Sequence, residues 1–108
     1  IIGGPVDGRV ALMFDDMIST AGSICGAAEL VNKAGAREIY VAATHGVLAG
    51  DAVQRLQDAP VTGVILTDTI PLWSDKRLSK THVLSVAPLL GEAIKRIHHD
   101  ESISELFR

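Results

Sequence analysis

Four short apolar runs, Val10–Phe14, Ile39–Ala43, Gly63–Thr67 and His82–Val86, alternate with stretches whose apolar residues recur at helical spacing. A run without polar alternation fits a strand buried on both faces, and strands separated by helices form an open parallel sheet. Ile24, Ala27, Ala28 and Val31 share one helical face, and Gly35 stands where a left-handed cap ends a helix. A weaker helix spans residues 51–57. Leu90, Ala93, Ile94 and Ile97 give a last amphipathic helix, with Lys95 and Arg96 on its polar side. Turn residues (Gly3, Gly4, Pro5, Asp7, Gly8) precede the first strand, Thr44-His45-Gly46 ends the second, and residues 72–80 are polar and irregular apart from Trp73. The expectation is a single α/β domain over residues 1–108, an open parallel sheet with flanking helices.

Composition narrows the function classes. With 47% apolar residues but only 4% aromatic, Val, Ile, Leu and Ala must build the core. That is apolar for 108 residues, so part of the surface is expected to be covered by a partner or by more of the same protein. The net charge of -3 lacks the basic patch that a nucleic-acid partner requires. No apolar run approaches the ~20 residues that span a bilayer. The lone Cys25 rules out an intrachain disulfide framework and fits a reducing, cytoplasmic setting. The opening Ile-Ile-Gly-Gly, without an initiator Met or a signal pattern, fits a piece of a longer or processed chain.

Ligands of such sheets bind beyond the carboxyl ends of the strands. The first such stretch, Phe14-Asp15-Asp16-Met17-Ile18-Ser19-Thr20-Ala21-Gly22-Ser23, makes a two-part site. Ser19 to Ser23 can aim backbone N–H groups and hydroxyls at a phosphate, helped by the positive helix N-terminus. Asp15 and Asp16 are acceptor-only groups suited to sugar hydroxyls or hydrated Mg²⁺. An anion grip beside a diol grip describes a ribose phosphate. The plainer alternative is a turn in which the Asp, Ser and Thr side chains merely cap the helix. Neither a dinucleotide glycine motif nor a P-loop is present. His45 is either a site residue or bonded to nearby backbone; Cys25 is either activated by the helix dipole or simply packed. His98 and His99 are adjacent and do not share a helical face, so no metal site is expected of them.

Asp15 to Ser23 resembles the phosphoribosyl-diphosphate signature of type I phosphoribosyltransferase-like folds. Ala43-Thr44-His45-Gly46-Val47-Leu48-Ala49-Gly50, Asp68-Thr69-Ile70-Pro71, Leu89-Leu90-Gly91-Glu92-Ala93-Ile94 and Glu101-Ser102-Ile103-Ser104-Glu105-Leu106-Phe107 follow in order. Together they resemble the C-terminal half of the ribose-phosphate pyrophosphokinase family. That resemblance implies transfer of diphosphate from ATP to the 1-hydroxyl of ribose 5-phosphate, dependent on Mg²⁺, in a homo-oligomer, a hexamer in this family. Asp15 and Asp16 would hold the ribose, and Ser19, Thr20, Ala21, Gly22 and Ser23 the 5-phosphate. Ser102, Ser104 and Phe107 would belong to a regulatory phosphate or ADP site between subunits, or else merely dock the tail. ATP-binding residues, Mg²⁺ ligands and the catalytic Lys/Arg loop would lie in a preceding half, leaving no catalytic residue and no direct metal ligand here. Two departures stand out. Ser19 occupies a position where the family usually has Asp, and Ala49-Gly50-Asp51 replaces Ser-Gly-Pro, which reads as a turn and helix start. The first keeps a non-catalytic regulatory homologue in view; a type I phosphoribosyltransferase is a third reading, disfavoured by the tail.

Overall fold

The computed structural model describes residues 5–107. Four strands, β1 (Val10–Ile18), β2 (Glu38–Gly46), β3 (Gly63–Thr67) and β4 (Thr81–Leu84), pair in parallel and lie side by side in sequence order. The helices are α1 (Gly22–Lys33), α2 (Ala52–Asp58) and α3 (Ala87–His98), with short 3₁₀ turns at Ser74–Lys76 and Ser104–Phe107. This is the open parallel sheet with flanking helices expected of a type I phosphoribosyltransferase-like fold.

Consecutive right-handed crossovers that step the same way along a sheet put their helices on the same face. Here α1 and α2 do so, and the core forms beneath them from Ala28, Val31, Ala52 and Leu56 against Ile39, Val41, Ala43, Val64 and Leu66. The β3–β4 connection joins this layer. Lys80 Nζ donates to the carbonyls of Gln57, Ala59 and Val61, and Lys76 Nζ donates to that of Leu48 at 2.9 Å.

The same topology corrects the expectation that β1 is covered on both faces. Leu12 is 51% exposed, Phe14 75% and Leu84 61%, because no helix of the described residues lies over that side of the sheet. In α3 only Ala93 is buried, while Leu90, Ile94 and Ile97 stand in solvent. Its amphipathic pattern is real, but most of its apolar face stays exposed among the described residues. Much of the apolar surplus in the composition therefore sits on these two surfaces, with Leu30, Val47 and Trp73 exposed elsewhere.

Strand ends also differ from the sequence reading. β1 continues through Asp15 and Asp16, and β2 through Thr44-His45-Gly46, because parallel pairing persists to Ile18↔Gly46. β4 stops at Leu84, since Ser85 and Val86 turn into α3. Gly35 caps α1 as expected, at φ 96°, a value costly for any residue with a Cβ. The N–H groups of Gly35 and Ala36 then reach back to the carbonyls of Asn32 and Val31, closing a Schellman motif. Gly3 and Gly4 lie outside the described residues. No helix among those described is long and apolar enough to cross a membrane.

Candidate functional site

At the carboxyl end of β1 a cleft of about 190 Å³ is lined by Asp15 and by residues 17–24. A larger hollow of about 210 Å³, lined by Phe14, Ala42, Ile65 and Leu84 among others, belongs to the bare sheet face, and its walls are almost wholly apolar. Asp15 lines both, and only the first adds the Ser19–Ser23 loop and a helix start.

Asp15 and Asp16 project from the end of an edge strand and are both exposed. Each folds one oxygen onto the next amide: Asp16 N–H donates to Asp15 Oδ1, and Met17 N–H donates to Asp16 Oδ1, both at 2.8 Å. These local bonds fix the carboxylates while leaving their second oxygens without a partner among the described residues. Asp16 is held below the ordinary carboxylate range, first by the neighbouring Asp15 carboxyl and then by the Met17 N–H, with a smaller contribution from His45. It is therefore an ionised acceptor at neutral pH.

The loop leads into α1 through an unusual start. The N-cap is Ala21 at φ 68° and ψ 8°, with no side-chain cap bond and no acidic residue in the first turn. An L residue in the left-handed region costs roughly 1–2 kcal/mol, and a missing cap costs about 1 kcal/mol more. The first helical hydrogen bond runs from Cys25 N–H to Ala21 C=O at 3.0 Å, so the N–H groups of Gly22, Ser23 and Ile24 precede the helical ladder. This overturns the plainer alternative: Ser19 and Thr20 do not cap the helix, and the two Asp side chains are strand residues. Strain held at an uncapped helix start, against two ionisable carboxylates, is the arrangement an anionic ligand with hydroxyls would complete.

The structure thus gathers Asp15, Ser19, Thr20, Ala21, Gly22 and Ser23 around one cleft, whereas Asp16 is not among the residues that line it. His45 stands on the neighbouring strand in register with Met17, its Nδ1 2.8 Å from Thr69 Oγ1, so its partner is a side chain rather than backbone. Cys25 is half-buried, and burial raises its thiol pKa. The rings of His98 and His99 meet edge to face at 5.2 Å. Ser102 and Ser104 follow α3 with hydroxyls 2.9 Å apart, and Arg96 holds their segment by donating to the Ser102 carbonyl; neither lines the cleft. The side chain of Phe107 lies outside the described residues.

Three features were not anticipated from the sequence. Arg55 of α2 donates from Nη1 to the Thr20 carbonyl at 2.9 Å. The β2–α2 loop donates backbone N–H groups to the carbonyls of Ile18 and Ser19. Asp68 accepts from Ser85 Oγ at 2.6 Å and from Val86 N–H at 2.8 Å, anchoring the start of α3 to the end of β3. Residues acting through backbone atoms leave no pattern in side-chain identity.

Comparison with known proteins now bears on this geometry. A family profile described as Phosphoribosyl synthetase-associated domain matches residues 1–108. The chain is a member of the ribose-phosphate pyrophosphokinase family, in its phosphoribosyl synthetase-associated domain. It is 69% identical over its whole length to a ribose-phosphate pyrophosphokinase of Rhodopirellula baltica, and 52% identical over 96% of its length to one from Caldanaerobacter subterraneus subsp. tengcongensis. The crystal structure of phosphoribosylpyrophosphate synthetase from Mycobacterium smegmatis superposes with a TM-score of 0.88 and 43% identity, covering 91% of this chain and 33% of that one. The chain spans about a third of the length of these relatives: 34%, 33% and 33%.

Proposed function

We propose that this chain supplies the ribose 5-phosphate site of a ribose-phosphate diphosphokinase, as the C-terminal part of a longer, two-domain protein. The observation that carries the reading is the single cleft joining the Asp15 carboxylate of β1 to the uncapped start of α1. Ribose 5-phosphate carries its vicinal hydroxyls and its phosphate at opposite ends of a small ring. Asp15 and Asp16 accept hydrogen bonds from the hydroxyls. Residues 19–23 donate N–H and O–H groups to the phosphate, whose charge complements the helix terminus.

The reaction proposed is transfer of diphosphate from ATP to the 1-hydroxyl of the sugar. Phosphoryl transfer asks the protein mainly for positioning and charge neutralisation. This chain would hold the acceptor sugar still, and the ATP site would belong to the remainder of the protein. Mg²⁺ commonly uses one or two carboxylates together with water and substrate oxygens. Asp15 and Asp16 would meet such an ion through its waters and the bound sugar rather than as direct ligands, and no group of three or more His, Cys, Asp or Glu forms a cage of its own among the described residues. When bound, the ion would neutralise charge on the transferring phosphates.

The bare sheet face and the apolar face of α3 support assembly, both with the rest of the polypeptide and into a homo-oligomer. Ser102, Ser104 and Phe107 are the candidates for a regulatory phosphate or ADP site between subunits. The lone Cys25 accords with a cytoplasmic setting.

The decisive test titrates ribose 5-phosphate into the intact protein and its Asp15→Asn/Asp16→Asn variant, with ATP turnover measured in parallel. Saturable binding by the parent, at least tenfold weaker in the variant, supports the site. Equal binding by both would refute it. Binding without turnover would favour a non-catalytic regulatory homologue, the reading that Ser19 keeps open.

A further inference from the structure

Three consecutive carbonyls at the end of β1 all face the same neighbour. The Ile18 carbonyl accepts from the N–H groups of Val47 and Leu48, each at 3.0 Å, and the Ser19 carbonyl accepts from Ala49 N–H at 2.8 Å. The Thr20 carbonyl is taken by Arg55 Nη1 at 2.9 Å. In a trans peptide the C=O of one residue and the N–H of the next point in opposite directions. Drawing the Ser19 and Thr20 carbonyls onto the β2–α2 segment therefore turns the N–H groups of Thr20 and Ala21 away from it. Ala21, buried and left-handed, completes the reversal and delivers the chain into α1.

Backbone amides hold Ile18 and Ser19, but only a side chain holds Thr20. We propose that Arg55 is the positioning residue of the anion loop: by fixing the Thr20 carbonyl it aims the Ala21 N–H, and with it the uncapped start of α1, at the phosphate of the bound sugar. The proposal rests on the ribose 5-phosphate reading above. Arg55 is well placed for the task because its helix is anchored on either side by Ala52 and Leu56, both fully buried. The tie spans 35 residues of sequence and adds a side-chain bond to the backbone bonds that already join the two segments. Its guanidinium lies 3.6 Å from the point a Cβ on Gly22 would occupy, directly beside the first residue of α1. A fixed positive charge beside the loop also favours the anion. The geometric role is the distinctive one, since a cation alone need not touch a carbonyl.

The test uses the intact protein as parent, Arg55→Ala and Arg55→Lys, with calorimetric titration of ribose 5-phosphate and, separately, of inorganic phosphate. Hydrogen exchange of the α1 amides is followed in the same samples. Loss of a charge-assisted hydrogen bond predicts binding of both probes about tenfold weaker in Arg55→Ala. Lysine keeps the charge and one donor within reach, so Arg55→Lys recovers most of that loss, while α1 exchange beyond its first turn stays at the parent rate. Undiminished binding in Arg55→Ala overturns the proposal. Equal losses in both variants, with faster exchange along all of α1, also overturn it and leave Arg55 a mere structural tie. If the parent binds phosphate but not ribose 5-phosphate, and Arg55→Ala loses the phosphate, the loop mechanism stands and the sugar reading fails. If the parent binds neither, both fall.

Discussion

Replacing Gly22 by Ala should move stability and binding in opposite directions. Gly22 is the first residue of α1, and its φ lies outside the left-handed region, so alanine adopts its conformation without strain. A Cβ built there would sit 3.6 Å from Arg55 Nη1 and 4.0 Å from Thr20 Oγ1, ordinary van der Waals contacts that require no rearrangement. At such a position Gly→Ala stabilises by about 0.4–1 kcal/mol, chiefly by removing freedom from the unfolded chain. Amides of α1 that exchange by unfolding should therefore exchange about two- to fivefold more slowly. The same methyl group stands at the wall of the cleft, where a phosphate must approach the backbone closely. Ribose 5-phosphate binding should weaken by about tenfold. The assay is hydrogen exchange of α1 alongside calorimetric titration, both in the intact protein. Slower exchange with undiminished affinity would show that the ligand does not approach the start of α1. Faster exchange would show that the first turn is not helical as described.

Two further outcomes follow from packing and charge. Leu56 is completely buried beneath α2, so Leu56→Ala should cost about 2–5 kcal/mol in guanidinium unfolding; a loss below about 1 kcal/mol would mean that α2 is not seated on the sheet. The Asp68 carboxyl is held below its ordinary range, first by the Ser85 hydroxyl and then by the Val86 N–H. A depressed folded value means that the stability contributed by this tie is complete above about pH 3.9 and is lost as pH falls through the lowered value. The Val86 amide resonance should titrate in that acidic window and lose the transition in Asp68→Asn, and a flat profile in the parent would refute the tie.

The sequence was most legible where side-chain pattern and local geometry coincide. Gly63–Thr67 is β3 to the residue, because a Val-Ile-Leu run flanked by Gly and Thr in a central strand marks both its core and its ends. Gly35 was readable because a left-handed cap nearly demands glycine. Ala21 was not, since nothing in an alanine announces φ 68°, and the carbonyls beside it are bonded to a segment distant in sequence. Strand ends at Asp15–Ile18 and Thr44–Gly46 were underestimated because polar residues there look like loop, whereas ladder hydrogen bonding is indifferent to side chains.

By itself, then, the sequence determined the alternation of strand and helix, the parallel sheet, and the stretch from Asp15 to Ser23 as the candidate site. These follow from hydrophobic periodicity and from the donors and acceptors each residue carries, which are local properties. Tertiary structure alone decided which face of the sheet is covered, that α1 starts uncapped, and that Arg55 reaches Thr20. Those depend on crossover handedness and on contacts between residues far apart in the chain, and no local pattern encodes them.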